Sequence, residues 1–182
     1  MQELSLHILD VARNSIEAGA TRVEITVVEN DPPGHMEIVV HDNGAGMDPS
    51  DARRATDPFF TTRTTRRVGL GLALFAATCE ACDGALEVTS QPGAGTTVRA
   101  RLRLDHLDRP PLGDMGAVMQ ALALEAERVS LSYRHCTPVG EFALDTHELQ
   151  ERLDGARLTD PSVLKWLREF VNEGLKAIDS KA

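Results

Sequence analysis

Glu3, His7, Asp10, Asn14 and Glu17 recur at steps of four and three in and around the run LHILDVARNSIEAGAT, residues 6–21. On a helix they form one polar stripe, opposite Leu4, Ile8, Leu9, Ala12 and Ile16. Such a stripe faces either water, as on any amphipathic helix, or a ligand. Asn14 leans toward the second, because an amide in mid-helix competes for backbone hydrogen bonds and is a poor helix former.

Two glycine groups carry a second kind of chemistry. Asp42-Asn43-Gly44-Ala45-Gly46-Met47 closes a β-rich run, and Gly69 and Gly71 open an apolar helix directly after an Arg/Thr segment. Glycine lets backbone approach a ligand closely, and a helix N-terminus offers unpaired N–H groups and positive potential to an anion. Taken alone, Asn43-Gly44 reads equally well as a hairpin turn. Gly69-x-Gly71 lacks the third glycine of a dinucleotide fingerprint and no GxxxxGK[ST] occurs, which excludes Rossmann and Walker sites. All the lysines (Lys165, Lys176, Lys181) lie near the C-terminus. A phosphate site further upstream therefore has to use arginine, backbone N–H groups or a metal.

The elements that position these residues follow from periodicity and turn chemistry. The first helix stops at Gly19 to Thr21, and VEITVVE (23–29) and HMEIVVHD (35–42) alternate as two strands of a hairpin. Asp48-Pro49 starts a short polar helix. DPFFTTRTTRRV (57–68) is irregular, and GLGLALFAATCEAC (69–82) continues as an apolar helix. ALEVTS (85–90) and TTVRARLRL (96–104) form a strand pair, with Val98, Ala100, Leu102 and Leu104 on one face. The connector DHLDRPPLGDMG (105–116) leads to a helix (114–127), strands VSLSYRH (129–135) and EFALD (141–145), a helix with Asp145 and Glu148 spaced as a capping box, and a last helix from Asp160-Pro161. The expected fold is α+β, a two-layer sandwich with helices on one side of a mostly antiparallel mixed sheet. Residues 1–104 form the main unit and residues 105–182 a small C-terminal αββαα extension.

Composition narrows the function classes. With 42% apolar and 26% charged residues the chain is that of a globular protein, and at 4% aromatics its core is built from Leu, Val, Ile and Ala. A net charge of −9 argues against nucleic acid or an anionic membrane as partner. No signal peptide or spanning segment is present in the sequence, so the cytoplasm is the expected compartment. Cys79 and Cys82 form a CxxC inside a helix, without a second ligand pair, and read as small buried hydrophobes. The histidines form no metal-spaced cluster.

The order of the motifs resembles the GHKL superfamily, the Bergerat-type ATP site of gyrase B, heat-shock chaperone ATPases, mismatch-repair MutL and histidine kinases. Asp10-x-x-x-Asn14-x-x-Glu17-Ala18 is similar to the N-box, and Asp42-Asn43-Gly44-Ala45-Gly46 to the DxGxG box. Pro58-Phe59-Phe60-Thr61-Thr62-Arg63 is similar to the F-box of histidine kinases, Gly69-Leu70-Gly71-Leu72 to the second glycine box, and Gly95-Thr96-Thr97 to the third. The resemblance covers residues 3–104. It implies that the helical stripe faces ATP, with Asn14 holding Mg²⁺ and Asp42 accepting from the adenine amino group. Gly44 and Gly46, beside Met47, would let backbone lie against the base. Gly69, Leu70, Gly71 and Leu72 would present helix N–H groups to the phosphates. Phe60, Thr61, Thr62, Arg63, Arg66, Arg67 and Val68 belong to the ATP lid, with the arginines as cationic partners. Thr96 would support Asp42 through a hydroxyl or water bridge.

In hydrolysing branches of that superfamily a Glu acts as general base four residues before the Asn. Asp10, one methylene shorter, occupies that position here. The helical phosphoacceptor pair of histidine kinases has no counterpart before residue 3, and His7 alone is no evidence of phosphotransfer. Two functions are open: a kinase that phosphorylates a separate protein, or an ATP-gated switch or slow ATPase that regulates or assembles a partner complex. The full set of motifs is similar to small stand-alone histidine-kinase-like ATPases encoded beside iron-hydrogenase genes.

Overall fold

Alternation in the two N-terminal strands puts Val23, Ile25, Val27 and Met36, Ile38, Val40 on one face, and all are buried. A computed structural model describes residues 3–30, 34–57, 70–125 and 129–180. In it β1 (Arg22–Glu29) and β2 (His35–Asp42) pair antiparallel, with Val27 opposite Ile38. β4 (Gly95–Arg103) pairs antiparallel with β2, which sets Val98 against Val40 and Thr96 against Asp42. β3 (Ala85–Gln91) closes that edge on β4. On the far side of β1, β5 (Ser130–Cys136) pairs in parallel, Leu131 opposite Val23, and β6 (Glu141–Asp145) follows antiparallel. The order β3-β4-β2-β1-β5-β6 makes one mixed, mostly antiparallel sheet, and the C-terminal αββαα segment extends it across the 104/105 position.

α1 (Leu4–Glu17) buries Leu4, Ile8, Val11 and Ala12 over this sheet. Of these, Leu4, Ile8 and Val11 each contribute about 1.5–3 kcal/mol on removal from water, before entropy is counted. α3 (Leu70–Glu80) and α4 (Met115–Glu125) flank α1, and α6 (Pro161–Ala177) packs on α4 through Leu164, Leu167 and Val171. α2 (Pro49–Arg54) lies beside β3, and α5 (Thr146–Arg152) beside β5. The capping spacing is realised: Asp145 Oδ1 accepts from the N–H groups of His147 (2.8 Å) and Glu148 (3.4 Å).

The connector after residue 104 is strapped to the start of α1. Leu4 N–H donates to Pro111 O at 3.0 Å and Ser5 N–H to Leu112 O at 2.7 Å, satisfying two first-turn donors that Glu3 leaves uncapped. Arg13 and Glu125 form a two-armed ion pair between α1 and α4. Below the C-terminus, His135 Nε2 lies 2.6 Å from Glu29 Oε1, Ser180 Oγ donates to the same oxygen at 2.6 Å, and Tyr133 Oη lies 2.7 Å from His135 Nδ1. Burial holds the Tyr133 hydroxyl well above its ordinary range, so it stays protonated. Cys79 and Cys82 are buried free thiols, the first pushed up to about 12 by burial, as two core hydrophobes should be. No helix among the described residues is long and apolar enough to cross a membrane.

Candidate functional site

Asp42 ends β2 with its side chain 4% exposed, and three donors from three elements converge on it. Oδ1 accepts from Gly44 N–H (2.8 Å) and Thr96 N–H (3.2 Å). Oδ2 accepts from the buried hydroxyl of Ser15 on α1 at 2.7 Å. An ionised carboxylate offers about four acceptor directions. Among the described residues both directions of Oδ1 are taken and one on Oδ2, so the direction left open by them is on Oδ2. The sequence points to Asp42 and Gly44 but not to Ser15. One helical step of about 100° past Asn14 carries Ser15 off the polar stripe toward the sheet.

Asn43-Gly44 is not a hairpin turn. Asn43 Oδ1 accepts from Thr21 and Arg22 N–H, both at 2.9 Å, and Nδ2 donates to Thr21 Oγ1, which ties the end of β2 to the start of β1. The glycine loop that follows interlocks with its neighbours. Ala45 N–H donates to Ala18 O (2.9 Å), Gly93 N–H to Ala45 O (2.7 Å), and Met47 N–H to Ser90 Oγ (2.8 Å). Gly46 has φ +68°, and a Cβ there would overlap Gln91 O. Its need for glycine thus arises from packing on the β3–β4 turn. Thr96 corrects an expectation: it reaches Asp42 by its backbone N–H, while its hydroxyl lies 2.9 Å from Ser90 Oγ. Ser90 is the second residue the sequence did not flag. It sits at the end of β3, where one serine in a polar TSQ run carries no pattern.

The polar stripe of α1 divides. His7 is 1% exposed, stacked on Phe75 of α3 with centroids 4.7 Å apart and rings 8° from parallel. Thr78 Oγ1 donates to Leu74 O, so at 3.2 Å it accepts from His7 Nε2–H, and Nδ1 has no partner among the described residues. Burial lowers the His7 pKa to about 4. This member of the stripe is therefore a neutral core imidazole and faces α3 instead of a ligand. Asp10 and Asn14 are half-buried, Glu17 and Ala18 exposed. Asp10 lies against Gly71 at the start of α3. Leu70 is exposed, whereas Leu72 packs on the core. Phe60, Thr61, Thr62, Arg63, Arg66, Arg67, Val68 and Gly69 lie outside the described residues.

Helix α1 thus joins the two glycine regions, through Ser15 to Asp42 and through Asp10 to Gly71. Residues 2–106 match the model of the histidine kinase-, DNA gyrase B-, and HSP90-like ATPase family. The chain is 39% identical over 105 residues to the sensor protein kinase FleS of Pseudomonas aeruginosa, covering 58% of this chain and 25% of FleS. It is 33% identical over 99 residues to the histidine protein kinase DivJ of Caulobacter vibrioides, covering 52% of this chain and 17% of DivJ. The match therefore spans a quarter or less of either relative. Among solved structures, the N-terminal domain of a DNA repair protein is similar in fold, with TM-score 0.57 and 20% identity over 79% of this chain and 52% of that one.

Proposed function

The chain belongs to the histidine kinase-, DNA gyrase B-, and HSP90-like ATPase family, and from that premise we propose that it binds Mg·ATP and phosphorylates a side chain on a separate protein. An ATP-binding, histidine-kinase-like domain is what the family supplies. The observation that carries the site is the convergence on Asp42: three internal donors fix the carboxylate and leave one acceptor direction for an adenine amino group.

The residues present fit the metal as well. Asp10 and Asn14 set two oxygen donors one turn apart on α1, the hard ligand chemistry that Mg²⁺ takes. Held by Asn14, the ion would neutralise phosphate charge. N–H groups in the first turn of α3 would donate to the phosphates. As the nucleophile attacks, the bond from the γ-phosphorus to the bridging oxygen breaks, ADP leaves with the electron pair, and Asp10 takes the nucleophile's proton. Partner choice is assigned to residues 105–182. These lie almost wholly outside the family match and expose Trp166 and Phe170, stacked at 4.9 Å on α6. A cytoplasmic setting, where ATP is plentiful, suits this reading.

An ATP-gated switch or slow ATPase that regulates a partner is the second reading. What favours it is that Gly71, in the first described turn of α3, lies against Asp10, so that the position of α3 bears on the proposed site. Incubation with Mg²⁺ and γ-labelled ATP, with and without host lysate and beside Asn14→Ala, separates the two. Label on a lysate protein that is lost in the variant is the expected result. ATP binding without protein labelling or phosphate release above the variant replaces the kinase by the switch.

A further inference from the structure

Gly71 stands where any side chain would collide with Asp10. A Cβ built on it overlaps Asp10 Oδ2 and lies 2.9 Å from Asp10 Cγ. The collision is not with the end of a long flexible side chain, since Asp10 has only two side-chain torsions and is half-buried. Nor can α3 roll away to make room. Phe75 and Thr78, four and seven residues further along the same face, meet His7 in a stacked and hydrogen-bonded contact, with His7 and Phe75 each 1% exposed. Positions 71, 75 and 78 of α3 thus face positions 10 and 7 of α1, and the two helices run antiparallel along this seam, buried at His7 and Phe75.

We infer that Gly71 is a positioning residue for Asp10: the bare backbone of α3 is the seat against which the carboxylate rests, and its reach is set by that seat. This rests on the reading of Asp10 as the proton acceptor. Glycine at 71 and the short acid at 10 are then a matched pair. Asp10→Glu would add about 1.5 Å of side chain into space already held by α3 backbone. The longer acid, although the expected base in hydrolysing relatives of the motif, has to leave the seat and is the worse base here.

The test is a thermal double-mutant cycle with turnover alongside, on the full chain: Gly71→Ala, Asp10→Ala, the pair together, and Asp10→Glu. Gly71→Ala is expected to lower Tm by about 5 °C in the wild-type background. In the Asp10→Ala background that cost should disappear, because the atom it strikes is gone. Asp10→Glu should bind a fluorescent ATP analogue with Mg²⁺ within about threefold of wild type while phosphate release falls at least about tenfold. That split between binding and turnover is one a merely structural glycine contact would not produce. An equal Tm cost of Gly71→Ala in both backgrounds, or an Asp10→Glu protein that turns over as fast as wild type, overturns the inference. Should wild type bind the analogue yet neither release phosphate nor label a protein in host lysate, the transfer reading fails on its own, and the thermal cycle still decides whether the seat exists.

Discussion

Exchanging Asp42 for Asn alters one atom, and the surrounding donors dictate which one. Gly44 and Thr96 both present backbone N–H groups to Oδ1. Neither can reverse, so the oxygen of the introduced amide must sit there and its NH₂ must take the place of Oδ2. Ser15 can follow, since a hydroxyl that donates at 2.7 Å can rotate and accept instead. The fold should survive with the loss of charge assistance only, about 1 kcal/mol, or a Tm shift of about 2–4 °C. The open direction on that atom, however, changes from acceptor to donor. An adenine amino group arriving there loses a bond to a charged acceptor, about 1.5–3 kcal/mol, and meets an unsatisfied donor that costs about 1–3 kcal/mol more. ATP affinity should fall by about two to four powers of ten. A base with a carbonyl where adenine has its amino group should gain, so the preference for ATP over inosine triphosphate narrows or inverts. Titration calorimetry with both nucleotides on wild type and Asp42→Asn reads this directly. A variant that unfolds refutes the hydroxyl reversal. One that stays folded and binds ATP within about threefold of wild type refutes the assignment of Oδ2 to the base.

Ser15→Ala removes the donor that Oδ2 has among the described residues and strands a buried carboxylate oxygen, so chemical denaturation should show a loss of about 2 kcal/mol without any change of net charge. His7 gives a pH dependence of known sign. Its folded pKa of about 4 lies below the ordinary 6.5, so its contribution is complete above pH 6.5 and is lost as pH falls toward 4. About 3 kcal/mol should disappear across that window in wild type, and His7→Leu should flatten the profile; a slope that persists in the variant contradicts the assignment. Gly46 and Gly93 both have positive φ, but a Cβ overlaps Gln91 O at the first and meets nothing within 4 Å at the second. Gly93→Ala should therefore cost only about 1–2 kcal/mol of backbone strain, and Gly46→Ala clearly more, with calorimetric Tm as the measure.

Local periodicity was enough to define most elements. The alternation in residues 23–29, 35–42 and 96–104 reports a sheet with one dry face, and Asp48-Pro49 and Asp160-Pro161 mark real helix starts because proline at the first turn loses no hydrogen bond. The parallel pairing of β5 with β1 was not legible. Strands 22–29 and 130–136 are separated by a hundred residues, and their one-sided patterns fit an antiparallel neighbour just as well. The long connection between them permits either sense, and nothing in the residues says which strand β5 returns to.

The site was legible where chemistry is carried by side-chain type and obscure where it is carried by backbone. Asp42 is conspicuous as an acid closing an apolar strand before a glycine pair, but two of its three partners are N–H groups that any residue could supply. Reading the stripe on α1 as one surface fails for the same reason. A helical wheel says which residues share a face, yet not how far along the helix a second helix covers it. α3 crosses that face from Gly71 to Thr78, so His7 is sealed against Phe75 and Asp10 falls at the crossing's end. Asn14 lies one turn further along the same stripe. One continuous stripe is thereby divided: its N-terminal end packs against α3, its C-terminal end is the part to which the proposed nucleotide chemistry is assigned, and Asp10 stands between the two.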